Sequence, residues 1–144
     1  MKYKLLNGIG SNTYALIFDE GDEVMALLQT FAREHSLKAA SFKAIGAFSS
    51  CELGYFDLEK KDYKHIPVNG QVEVLSLLGD VALYGDEPKV HAHVVLGRSD
   101  GMAVGGHLIK AVVRPTLELI LEEQPDYLQR RMDEKTGLPL IDIT

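Results

Sequence analysis

Three of the chain's five histidines fall close together, in Val90-His91-Ala92-His93-Val94-Val95-Leu96 and then Gly105-Gly106-His107. Neutral imidazole is a nitrogen donor to divalent metals at physiological pH. In a strand, residues i and i+2 share a face, so His91 and His93 point the same way. Val90, Ala92, Val94 and Leu96 then fill the other face, which reads as core. Ser99-Asp100-Gly101 suits a three-residue hairpin loop with Gly101 at positive φ. Arg98 then pairs with Met102, and counting back sets His93 opposite His107. Direct cross-strand partners have Cβ atoms about 4.5–5.5 Å apart on one face, so the three imidazoles converge. A two-residue loop, or a bulge at Gly105-Gly106, would break that geometry. Three histidines around an open fourth position make the ligand set of a catalytic zinc site, where bound water acidifies toward neutrality. The expected metal ligands are therefore His91, His93 and His107, and the expected cofactor is a divalent metal. Zinc is the first expectation, although imidazole also accepts nickel, copper and iron. The competing reading is three ordinary histidines satisfied on a strand. The paired glycines before His107 point to a close backbone approach by a ligand or a subunit.

A proton carrier is harder to place. Glu118 alternates with Leu117, Leu119 and Leu121 and is the catalytic candidate, either orienting a ligating histidine or moving a proton. Pro115 interrupts the alternation between His107 and Glu118, so their relative facing stays open. Glu73 and Glu52 are weaker candidates of the same kind. Arg98, Lys110 and Arg114 are candidate anion contacts that read equally as surface cations. His35 and His65 read as solvated, and nothing marks Cys51 as a low-pKa thiol. Gly8-Ile9-Gly10 lacks the rest of a phosphate-cradling pattern.

These side chains need a frame of strands. Val24, Leu27, Leu28 and Phe31 recur at helical spacing, which predicts a helix over 22–35 with acidic residues at its start. Thr13–Phe18, Ala39–Phe56, Gln71–Leu78, Val90–Leu96 and Leu117–Glu123 read as strands. Turn signals fall at Asn69-Gly70, Gly85-Asp86-Glu87-Pro88, Ser99-Asp100-Gly101 and Thr136-Gly137. Residues 126–134 read as helical, and the segment after Leu138 as a docked or frayed tail. The expected fold class is α+β: a mostly antiparallel sheet with one main helix and short additional helices, in a single domain over residues 1–144.

Composition narrows the function. The 144 residues suit one domain with its own core, and 46% apolar and 25% charged residues exclude a disordered chain. Fifteen Lys and Arg against twenty-one Asp and Glu give a net charge of −6, which argues against DNA as a partner. A lone Cys51 points to a reducing compartment, and no membrane-spanning run or secretory leader is visible. The expectation is a cytoplasmic protein with no membrane partner.

The sequence resembles the PPC (plant and prokaryote conserved) domain family over residues 5–123, a family often labelled DNA-binding. Gly70-Gln71-Val72-Glu73-Val74-Leu75-Ser76-Leu77-Leu78-Gly79 is similar to the plant members' Gly-Arg-Phe-Glu-Ile-Leu-Ser-Leu-Ser-Gly. His91-Ala92-His93, Asp100-Gly101 and Gly105-Gly106-His107 resemble the prokaryotic members. The resemblance implies a homotrimer and kinship with acetolactate decarboxylase, a zinc enzyme with three histidine ligands. Carried over, those ligands fall on His91, His93 and His107. Plant members generally lack these histidines, and the Arg-Gly-Arg-Pro hook of the DNA-binding plant proteins has no counterpart here. Two functional readings follow. The first is a trimeric protein with a three-histidine divalent-metal site at a small-molecule pocket, which as an enzyme would do lyase or hydrolase chemistry on a small anionic metabolite. The second is a non-catalytic regulatory or oligomerising module.

Overall fold

Alternating apolar residues run longer in this chain than the turn signals suggest, and they fold as long strands. The computed structural model describes residues 1–7, 11–124 and 127–143. In chain order the elements are β1 (Lys2–Asn7), β2 (Thr13–Asp19), α1 (Val24–Glu34), β3 (Ala39–Asp57), β4 (Asp62–Tyr84), β5 (Glu87–Gly97), β6 (Ala103–Glu123), β7 (Gln129–Asp133) and β8 (Leu138–Asp142). One eight-stranded sheet runs β1-β2-β6-β3-β4-β7-β8, with β5 pairing to both β4 and β6. Thus β3, β4, β5 and β6 pair in a closed ring. Among the described residues all strand pairings are antiparallel except the short β4–β7 one.

The helix forms where its apolar spacing predicts. Val24, Leu28, Phe31 and Ala32 are buried, one stripe of a 3.6-residue period. The Glu23 carboxylate caps it, accepting from the Met25 and Ala26 amides at 3.3 and 2.7 Å and from the Ala111 amide of β6 at 3.0 Å. Gln29 ties the helix to β5, donating to the Pro88 carbonyl at 2.6 Å and accepting from the Val90 amide at 3.3 Å. The helix therefore packs on β5 and β6, and its buried stripe shares one core with Val94, Leu96, Leu108, Leu117 and Leu119, each at most 2% exposed. On the other face Ile45, Leu75, Leu78, His93 and Val95 are exposed.

Several expectations need correction. No short additional helix occurs among the described residues. Within 126–134, Asp126 lies outside the described residues, and Gln129–Asp133 is strand, joined to β8 through the Thr136-Gly137 turn. Local propensity there yields to pairing with β4 and to burial of Arg130. Of the two readings of the tail, the docked one holds for Leu138–Asp142, which pairs with β7 as a strand. Asn69-Gly70 reverses nothing. It sits inside β4 opposite a register slip at Phe48/Ser50, where the positive φ of Gly70 serves a bulge. His35 is only partly exposed, since its ring centroid stands 4.1 Å from that of Phe31, 5.0 Å from Tyr3 and 5.3 Å from Tyr14.

Candidate metal centre

The β5–β6 hairpin forms in the register that its turn chemistry predicts. Arg98 donates its amide to the Met102 carbonyl at 2.9 Å, and Gly101 takes a φ of +81°. His93 pairs with His107, and no bulge interrupts Gly105-Gly106. These glycines do permit a close approach, but by neighbouring strands: a Cβ on Gly105 would stand 2.7 Å from the Val94 carbonyl oxygen, and one on Gly106 2.8 Å from that of Gly54.

His91, His93 and His107 each offer a ligand nitrogen, and these atoms lie within 4.8 Å of one another. The ring centroids stand 5.0–5.5 Å apart. A tetrahedral ion with bonds near 2.1 Å needs its nitrogens about 3.4 Å apart, so side-chain rotation of about an ångström closes the site. Two features suit a cation. Among the described residues His107 Nδ1 is buried with no hydrogen-bond partner, which suits a ligand atom. Burial, then repulsion from His91 and His93, pushes the His107 pKa down to about 4, so one ring nitrogen keeps its lone pair free at neutral pH. Burial and His91 lower that of His93 too.

Two neighbours complete the centre, and neither stands out in the sequence. Asp80 of β4 pairs with His91 and sets its Oδ2 3.7 Å from His91 Nδ1. Burial works against this carboxylate's charge, but His91 and Arg130 outweigh it and hold Asp80 below the usual range. The two-residue Gly85-Asp86 turn was the available signal, because Tyr84 pairs with Glu87 and counting back reaches Asp80 and His91. Tyr63 stacks on His107 with centroids 4.7 Å apart. It does so across Gly54, which pairs with His107, and a Cβ there would meet the Tyr63 ring at 2.7 Å. Burial raises the Tyr63 pKa.

The other candidates lie elsewhere. Glu118 faces outward on the same side of the sheet as His93, because β6 gains residues opposite Ala47 and restores the alternation. Leu78, Lys43 and Ile120 continue the row from His93 across three strand spacings, about 14 Å, and Glu118 lies two residues further along β6. It borders an apolar groove with Ile17, Ile45, Leu75 and Leu78. Glu52 hydrogen-bonds His65 at 2.6 Å, and Glu73 is exposed on β4. Arg114 pairs with Glu20 at 3.3 Å, while Arg98 and Lys110 are exposed. Burial lifts the Cys51 thiol to about 11, which leaves it inert. Among the described residues, no helix is long and apolar enough to cross a membrane.

Comparison with known proteins agrees with this architecture. The chain is 34% identical to a plant- and prokaryote-conserved (PPC) protein from Pyrococcus horikoshii, with a TM-score of 0.85 over 99% of this chain and 96% of that one. A metal-containing protein from Archaeoglobus fulgidus is 35% identical, with a TM-score of 0.83 over 98% and 99%. A Bacteroides thetaiotaomicron protein whose name carries a provisional DNA-binding label is 25% identical, with a TM-score of 0.89 over 97% and 96%. Acetolactate decarboxylase from Bacillus subtilis shares the fold alone, at 10% identity and a TM-score of 0.57 over 81% of this chain and 54% of that one. No curated protein matches the chain. The Plants and Prokaryotes Conserved (PCC) domain matches residues 7–125, and the chain belongs to that family.

Proposed function

We propose that this PCC-domain protein holds one divalent cation per chain, zinc first, on His91, His93 and His107, and presents it to a small anionic metabolite. The carrying observation is the convergence of three ligand nitrogens within 4.8 Å. The partnerless Nδ1 of His107 and the metal-containing relative from Archaeoglobus fulgidus support the same reading. A shallow cleft of about 330 Å³ lined by Leu78, Gly79, Asp80, His91, Ala92 and His93 gives the metabolite access. Bound there, a cation supplies Lewis acidity toward a carbonyl or a water, the common need of lyase and hydrolase reactions. Asp80 restrains His91, and Tyr63 shields one side of His107 from water. Asp80 serves this site in place of Glu118, which stands too far along the sheet for direct proton transfer. A net charge of −6 favours a small metabolite over DNA, whose binding needs clustered cations. We further propose a homotrimer. Ile45, Leu75 and Leu78, all more than half exposed, give the open face an apolar surface for other copies of the chain.

Calorimetric titration of zinc into untagged, chelator-stripped protein tests the site. One ion per chain should bind, and His93→Ala should abolish the heat. Equal uptake by the variant, or none by the wild type, overturns the reading. Light scattering should return the mass of three chains.

A further inference from the structure

We infer that Arg130, on the C-terminal β7–β8 hairpin, is a positioning residue for the metal centre, acting through Asp80 on His91. The inference rests on the three-histidine reading above. Arg130 lies beyond residues 7–125, the stretch that matches the family. Among the described residues it is the one buried polar or charged side chain, at 8% exposed. A guanidinium is costly to bury, and such a cost persists where the charge has a specific partner. Here Nη2 is ion-paired to Asp80 Oδ1, Nη1 donates to the Pro139 carbonyl at 3.0 Å, and Nε is buried without a partner among the described residues. The hairpin thus delivers one end of the fork to Asp80 and the other to its own return strand.

The consequence falls on the free carboxylate oxygen. With Oδ1 held by Arg130, Oδ2 is the one left facing His91 Nδ1, at 3.7 Å. That separation is longer than a hydrogen bond but leaves the carboxylate aimed at the ring. A carboxylate behind a ligating histidine fixes which nitrogen donates to the metal, and losing it costs about 10- to 100-fold in metal affinity. Asp80 is itself partly exposed, so without Arg130 it can turn to water and release His91. The opposing effect is repulsion between the Arg130 charge and a bound cation. Asp80 neutralises that charge at contact, so positioning dominates.

The test is a double-mutant cycle on zinc affinity, read by chelator competition, with cobalt(II) absorption reporting ligand geometry. Asp80→Asn should weaken zinc about 10- to 100-fold, Arg130→Leu roughly 3- to 10-fold, and Arg130→Lys by less. In the Asp80→Asn background, Arg130→Leu should add nothing beyond about twofold. The cobalt spectrum should change in Asp80→Asn and Arg130→Leu alike. If Arg130→Leu does not fold, the Arg130→Lys and Asp80→Asn arms of the same cycle carry the comparison. Wild-type zinc binding that no Arg130 variant alters, or that Arg130→Leu strengthens, overturns this inference and leaves the histidine site standing. Additive effects overturn it as well. A wild type that binds neither zinc nor cobalt overturns both.

Discussion

The two faces of β5 are offset by one residue and do different work. Ala92, Val94 and Leu96 are at most 2% exposed, beneath the helix that Gln29 clamps to this strand. His91, His93 and Val95 look outward, beside Leu78 and Asp80 of β4. Strand alternation therefore separates folding from chemistry: the covered face stabilises the domain, and the open face is free to carry donor nitrogens at an energetic cost.

Substitutions should respect that division. Leu96→Ala, at a fully buried position, should cost about 2–5 kcal/mol in denaturant unfolding. A loss below about 1 kcal/mol would mean that the covered face is not the core. On the open face, His107→Leu should abolish zinc binding yet leave metal-free stability at neutral pH unchanged or higher, because it removes a buried, partnerless nitrogen. Acid sharpens the contrast. His107 titrates near 4 in the folded chain against about 6.5 unfolded, so between those values the unfolded state binds more protons. Metal-free protein should lose stability as the pH falls through that window, and His107→Leu should flatten the decline. Leu78→Glu, between Lys43 and His93 on the open face, should shift the light-scattering mass from that of the proposed trimer toward monomer with little change in chain stability. The smallest effect belongs to Glu118→Gln, for which zinc affinity should stay within about twofold, given the strand spacing that separates it from His93.

How far the sequence could be read follows the same local rules. The helix, the central strands and the His93–His107 pairing were legible, because alternation and the Ser99-Asp100-Gly101 turn set them over short distances. Asp80 was hidden for a different reason. Its link to His91 needs a second hairpin register, and the four residues Gly85–Pro88 read as one broad turn, although Pro88 is already a buried strand residue paired with Leu83. Tyr63 reaches His107 across a third strand, which no local pattern encodes. The C-terminal hairpin was misread because Arg130, polar by type, is buried by a partner fifty residues away in sequence. Glu118 satisfied the alternation rule but not proximity, which depends on the order of strands in the sheet.

Metal content per chain decides whether the three histidines hold an ion. Protein purified without a histidine tag or chelator, with His107→Ala alongside, is measured by plasma mass spectrometry. Close to one divalent ion should accompany each wild-type chain and only a trace the variant. Little metal in the wild type, with no uptake of added zinc, would contradict a metal centre and leave the three histidines as structural residues of an interaction module.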